Sequence, residues 1–416
     1  MKKTLFTYCI VWIIALCCDG TTAHAQVLKD LPAYRCVRYE QNALLFPGER
    51  TRQDHFYRRL DSLLLFNTGN VNIWHVGGSH VQADIFSHRL RSNLSELQPD
   101  VVGNRGILFP YPIARTNYSH NYRIRYTGRW TTGKNTKKDQ PYLLGITGMA
   151  ACTNDSTASI TVHLNTNQQN TQWQFDQLNI LGYADSVDTY PYLLWENDTL
   201  IAHYDSLYHY YNLTLPTPAD SVTIYWHLQN NDRFTITGIF PQNQQQGISY
   251  YSSGVNGAAL PAWLRCTNLK QDLSLIHPHL AIFAVGINDA AVPAGAFNVE
   301  AFKSNYRQLI EQVLSVSPNC ALLFITNNDS YRYVSRRKMS ANTNGPIVKR
   351  AFYELAQEYN GCVWDLFSIM GGMGSVNAWE EEQLVRHDRL HFTTLGYELL
   401  GDMLYNAILT DYLTNP

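Results

Sequence analysis

Apolar and polar positions divide the chain into an α/β stretch, a β stretch and a second α/β stretch. Asn70–Val76 (Asn-Val-Asn-Ile-Trp-His-Val) is a short β-rich run that stops at Gly77-Gly78. Val81, Ile85, Leu90, Leu94 and Leu97 follow at spacings close to 3.6, which predicts one apolar helical face and puts Ser79 at a strand-to-helix junction. From about Gly103 to Gly247 the runs become short and alternating. Examples are Ser159-Ile-Thr-Val-His-Leu, Ser221-Val-Thr-Ile-Tyr-Trp and Phe234-Thr-Ile-Thr-Gly-Ile, separated by Asn, Asp, Thr, Gln and Pro. Such a texture predicts antiparallel strands in a sandwich or jelly roll.

After Gly247 the α/β rhythm returns. Leu280-Ala-Ile-Phe-Ala-Val and Ala321-Leu-Leu-Phe-Ile read as fully buried parallel strands, and helical patterns cover about Val299–Leu314, Ile347–Tyr359 and Thr393–Leu409. Strands alternating with helices predict an α/β fold with a parallel, doubly wound sheet. The expected organisation is one α/β domain, residues 26–102 and 248–416, interrupted by a β domain over 103–247. Residues 1–25 stand apart. Lys2 and Lys3, an apolar run from Leu5 to Leu16 and Ala23-His24-Ala25 have the form of a secretory signal peptide with its cleavage site. A mature chain without a membrane span is the expectation, exported and most simply periplasmic, with cell-surface or secreted placement as the other options.

Composition narrows the chemistry. Hydrophobic residues make up 45% and charged residues 16%, enough for a sizeable core. With 32 Lys and Arg against 34 Asp and Glu there is no excess of positive charge, and no basic stripe for a nucleic-acid backbone. Cys36, Cys152, Cys266, Cys320 and Cys362 follow the signal segment, an odd count at irregular spacing that makes neither a disulfide framework nor a zinc site. Cys320 and Cys362 each open an apolar run and read as buried strand cysteines. One disulfide among the other three stays open. His80, His277 and His279 fall in no metal-ligand pattern, so they read as structural or peripheral, and no cofactor is expected.

Four segments can carry chemistry. Val76-Gly-Gly-Ser-His-Val81 places Ser79 after the first strand, where α/β sheets bind ligands. Tyr251-Ser-Ser-Gly-Val-Asn-Gly-Ala258 ends the next candidate strand with glycines that let backbone amides approach a ligand. Val285-Gly-Ile-Asn-Asp-Ala290 offers the Asn288 amide as an oxyanion donor. His387-Asp-Arg-Leu-His-Phe392 holds the chain's one Asp-x-x-His, a spacing that lets Asp388 orient His391. Each has a plainer reading as a helix cap, a tight turn or chance.

Together, in this order, they resemble the SGNH (GDSL-like) hydrolase family. Trp74-His-Val-Gly-Gly-Ser-His-Val-Gln-Ala-Asp84, Asn104-Arg-Gly-Ile-Leu-Phe-Pro-Tyr111 and Gly254-Val-Asn-Gly-Ala258 look like blocks of bacterial peptidoglycan O-acetylesterases. The resemblance implies a flavodoxin-like three-layer domain interrupted by an inserted β-sandwich resembling a carbohydrate-binding module. It implies Ser79 as nucleophile, His391 as its base and Asp388 as the group that orients His391. The Ser79 and Gly257 amides and the Asn288 side chain would form the oxyanion hole. An O-acetylated glycan, peptidoglycan or another polysaccharide, is the implied partner. One position departs from the pattern, because the family usually has Asp before the serine and this chain has Gly78. Two other readings use the same residues. One is an O-acetyltransferase that passes the acetyl group to a second sugar, and the other is a non-catalytic glycan-binding protein on a decayed scaffold. Insert aromatics such as Trp173, Tyr183, Tyr190, Tyr192, Trp195, Tyr208, Tyr210 and Tyr211 can stack on sugars, although packing is the simpler role for any one of them.

Overall fold

The computed structural model describes residues 28–415 except Asp100, Tyr118, Gln168, Gln169, Arg336 and Arg337. The signal segment expected over residues 1–25 lies outside these described residues.

Five parallel strands form the α/β part: β1 (Asn70–Gly77), β2 (Gly247–Gly254), β3 (Leu280–Ala284), β4 (Ala321–Ile325) and β5 (Cys362–Trp364). Their order in the sheet is β2-β1-β3-β4-β5, with the two-residue strand Leu44–Leu45 antiparallel outside β5. This is the strand order of flavodoxin-like folds, with its switch point between β1 and β3.

Alternate side chains of each strand go to opposite faces, as the period of two requires. Val71 and Ile73 of β1, Leu280 and Ile282 of β3 and Leu323 and Ile325 of β4 share one core with Phe56, Leu60 and Leu63 of α1 (Thr51–Phe66). Trp74, Val76, Ala281, Phe283, Leu322 and Phe324 enter the opposite core. There they meet Phe302, Tyr306 and Leu309 of the helix Val299–Val316 and Phe352 of the helix Gly345–Tyr359. Burial on both faces explains why these strands read as continuous apolar runs.

The helix expected after β1 is two helices. α2 (Ser79–Gln82) stops at Asp84, whose φ is +52°, and α3 (Phe86–Ser95) starts afresh. Val81, Leu90 and Leu94 are still buried, so the apolar periodicity was real. What breaks the helix is the buried Asp84 carboxylate. It pairs with Arg91 at 3.0 Å and Arg105 at 2.6 Å and accepts from Ser87, Ser119 and Ser252. Those partners come from α3, the loops before the antiparallel strands, and β2, none of which a local pattern can register.

Between α3 and β2 lie two antiparallel sheets. One has six strands running from His203–Asp205 at one edge to Thr131–Lys134 at the other, and the second has five, from Arg123–Thr127 to Asp198–Ile201. Ile160, Val162 and Ile224 of the five-stranded sheet and Leu178, Ile180 and Ile236 of the six-stranded sheet enter one apolar core. That core is continuous with the one beneath β1 and β3, so the antiparallel sheets pack onto the α/β part, with Phe240 edge-on to Tyr251 of β2. Trp173 and Tyr211 are buried in it, whereas Tyr208 is exposed.

All five cysteines among the described residues are free thiols, and Cys320, just before β4, and Cys362, the first residue of β5, are buried. No helix among the described residues is long and apolar enough to cross a membrane.

Candidate active site

Strand register levels the site. Gly77 of β1 lies opposite Gly254 of β2 and Ala284 of β3, so the three strands end at one height beside the switch point. The loops that leave them carry Ser79, Gly257 and Asn288. Close packing of α2 on this edge depends on Gly254, where a Cβ would come within 2.1 Å of the Gln82 amide nitrogen. Gly257 sits at φ +79°, in the left-handed region that glycine enters without steric cost.

The fourth segment arrives from the other end of the chain. His387–Phe392 forms a tight turn before the last helix, Thr394–Thr414, which Thr393 caps by accepting from the Gly396 amide at 3.1 Å. Within that turn the Leu390 and His391 amides donate to Asp388 Oδ1 at 3.0 and 2.9 Å. Outside it, Asn328 Nδ2 donates to the Leu390 carbonyl at 3.1 Å and the Tyr331 amide to the Arg389 carbonyl at 2.8 Å. These bonds hold the turn to the loop that follows β4.

Ser79, His391 and Asp388 meet in one chain of hydrogen bonds. Ser79 Oγ is 2.8 Å from His391 Nε2, and His391 Nδ1 is 2.7 Å from Asp388 Oδ2. Burial pushes the Asp388 carboxyl up, but the His391 hydrogen bond and the two backbone amides outweigh it and hold the group down at about 2. A carboxylate ionised at all ordinary pH values can fix the imidazole tautomer that leaves Nε2 as the acceptor toward the serine. Behind His391 packs the His80 ring, 5.5 Å away between centroids, with Nδ1 2.8 Å from the Tyr397 hydroxyl. Burial lowers His80 to about 3, so it is a neutral wall.

Asn288 and Asp289 both clamp the Gly257 loop. Asn288 Nδ2 donates to the Ala258 carbonyl at 2.9 Å, which occupies one of its two amide hydrogens. The Asp289 carboxylate accepts from the Leu260 amide at 3.1 Å. Gly78 stands against this clamp. A Cβ there would lie 3.0 Å from Asn288 Nδ2.

Gln82 completes the arrangement, and the sequence reading assigned it no role. Its Oε1 accepts from the Asn256 amide at 2.7 Å, and its Nε2 donates to Thr116 Oγ1 and Asn117 Oδ1 at 2.9 and 2.8 Å. Asn256 Nδ2 reaches the same two residues. A buried amide on α2 thereby ties the Gly257 loop to the segment that leads into the antiparallel sheets. Its place two residues before Asp84 in the Trp74–Asp84 block was the available signal.

Ser79, Gly257, Asn288, His391 and Arg386 line a cleft of about 510 Å³. All six positions singled out in the sequence therefore lie at one place: the hydrogen-bonded trio, Gly257 and Asn288 on the cleft wall, and Gly78 behind them. His277 and His279 do not. His279 accepts from the Asn72 amide at the opposite end of the sheet.

Residues 220–399 match the family model of the GDSL-like lipase/acylhydrolase family. The match spans most of the second α/β segment and the last two strands of the antiparallel sheets. The class of reaction that goes with it is ester hydrolysis, which makes the protein an ester hydrolase. The match holds Gly257, Asn288, Asp388 and His391, whereas Ser79 precedes it, with most of the antiparallel strands between.

Among solved structures the chain is similar to a peptidoglycan O-acetylesterase, at 19% identity and a TM-score of 0.71, over 90% of this chain and 99% of that one. At that coverage the shared fold takes in the antiparallel sheets as well as the α/β part. An acetyl xylan esterase (16% identity, TM-score 0.31) matches over 39% of this chain and 81% of its own. A GDSL-like lipase from Bacteroides thetaiotaomicron (16%, TM-score 0.30) matches over 39% and 76%. No curated protein matches the chain.

Proposed function

We propose that the protein is an exported serine carbohydrate esterase that removes O-acetyl groups from a glycan, peptidoglycan first among the candidates. The observation that carries this reading is the unbroken hydrogen-bond chain from Ser79 through His391 to Asp388 at the mouth of a cleft.

The reaction is two-step acyl transfer. Ser79 Oγ attacks the acetyl carbonyl while His391 Nε2 takes its proton, and Asp388 steadies the imidazolium. The Ser79 and Gly257 amides and the second Asn288 amide hydrogen receive the oxyanion. Collapse of the tetrahedral intermediate expels the sugar alkoxide, which takes the proton from His391. Water, deprotonated by His391, then attacks the acetyl-enzyme, and collapse releases acetate as His391 returns that proton to Ser79 Oγ. No step requires a metal or cofactor.

Residues 26–102 and 248–416 form the catalytic domain on this reading. Residues 103–247 form an inserted sandwich of jelly-roll type, and residues 1–25 direct export to the periplasm.

The test is acetate release from O-acetylated peptidoglycan and from acetylated xylan by the mature chain, beside Ser79→Ala. Release that disappears with Ser79 supports the esterase, and the preferred polymer identifies the substrate. Glycan binding without release from either polymer replaces the esterase with a glycan-binding protein.

A further inference from the structure

A second groove of about 640 Å³ opens from the catalytic cleft toward the five-stranded antiparallel sheet, and the two share Ala83, Asn117 and Arg386 as walls. Arg123 and Arg125 line it from the edge strand Arg123–Thr127. Being two residues apart they project on the same face of that strand, while Ile124 between them is buried. Arg386 stands where groove and cleft meet, two residues before Asp388.

No Asp or Glu among the described residues lines either cavity. Among the described residues, Arg123, Arg125 and Arg386 make no ion pair, whereas Arg50, Arg89, Arg233 and Arg307 each have a carboxylate partner. Three guanidiniums gathered without a counter-charge in one concave place repel one another and focus a positive potential there. That cost is offset when an anion arrives. The planar fork of arginine matches a carboxylate in a bidentate way.

We propose that this groove is a subsite for carboxylates on the glycan, held by Arg123 and Arg125 with Arg386 at the junction. The subsite selects an acidic polymer and sets its register so that the ester reaches Ser79. It rests on the esterase reading for its substrate. The carboxylate can belong to a uronate ring or to an acidic group appended to the sugar, as in peptidoglycan.

The test compares the mature chain with Arg123→Gln/Arg125→Gln and Arg123→Lys/Arg125→Lys. Three O-acetylated polymers are used: polygalacturonate, peptidoglycan and neutral xylan. In the native protein, kcat/KM on the better acidic polymer is expected to exceed that on xylan at least tenfold and to fall as salt rises from about 0.05 to 0.5 M. The Gln pair is expected to cut that ratio at least tenfold and flatten the salt dependence, with the Lys pair retaining most of both. Polygalacturonate and peptidoglycan separate the two carboxylate sources. A ratio unaltered in the Gln pair overturns the subsite.

Should the native protein release acetate from none of the three, the esterase reading falls and calorimetric titration with deacetylated polygalacturonate oligomers decides the subsite alone. Binding weakened tenfold or more by the Gln pair upholds it. Equal binding, or none by the native protein, overturns it.

Discussion

At the scale of single residues, the site is a set of short bonds whose removal has separable effects. Asp388→Asn keeps the size of the side chain but presents an amide to His391 Nδ1, which favours the wrong imidazole tautomer. We expect kcat to fall about 100- to 10,000-fold with the fold intact, read from initial rates on a small acetyl ester and from an unshifted melting curve. Gly78 bears on the opposite wall. Gly78→Ala puts a Cβ 3.0 Å from Asn288 Nδ2, so that amide has to retreat by a few tenths of an ångström. The expected result is a kcat lowered several-fold at nearly constant KM, because an oxyanion donor acts in the transition state and little before it. A rise in kcat would mean that Asn288 is not a donor. Both residues were named from the sequence, since a resemblance in motif order reaches such positions directly. The closeness of Gly78 to Asn288 was not legible, because 210 residues separate them in the chain and only the β1–β3 pairing joins them.

Elements decide how those residues are held. Parallel strands β3 and β4, which are buried on both faces, were readable to within a residue. Two of the three long helices were readable to within two residues, and the last runs five residues beyond its expected end. The split between α2 and α3 was not, because the cause is the buried ion-paired Asp84 rather than any weakness in the local pattern. Also unforeseen was the hairpin Tyr331–Ser335 and Lys338–Ala341, whose first residue supports the His387–Phe392 turn through Arg389. Gln82 shows what such supports do for chemistry. Gln82→Ala removes three hydrogen bonds between α2, the Asn256 amide and the Thr116–Asn117 segment. Stability should drop by about 1–2 kcal/mol, since three hydrogen bonds go and the part-buried Asn256 amide loses its acceptor. A role in positioning Gly257 predicts more: kcat falls about tenfold while KM for a small ester stays level. Equal kcat in variant and native protein would leave Gln82 as packing alone.

At the scale of the whole molecule, the antiparallel sheets and the α/β part share a core and several buried polar bonds. Asp272, on the helix Leu269–Ile276, is one of them. It accepts from the Ile146 amide at 2.8 Å, and burial pushes it from an ordinary 3.8 up to about 7. A carboxylate raised on folding holds its proton more tightly in the native state than in the unfolded one. Its contribution is therefore complete below about pH 4, declines as pH rises toward 7 and is gone above that. The decline integrates to on the order of 4 kcal/mol. Asp272→Asn should flatten that slope, measured as denaturant midpoints from pH 4 to 8. An unchanged slope would assign the pH dependence to other groups.

The sequence by itself determined the class of fold, the buried strands, the change of texture at the antiparallel segment and the residues to which acyl transfer is proposed to fall. It could do so because strand and helix periodicities are local, and because Ser79, Gly257, Asn288, Asp388 and His391 each sit beside an element end that the pattern marks. Tertiary structure alone decided that these ends lie level on one edge, that Ser79 Oγ and His391 Nε2 come within 2.8 Å across 312 residues, and that Arg123, Arg125 and Arg386 line connected cavities. Register, long-range pairing and uncompensated charge are properties of the packed chain, and no local spacing encodes them.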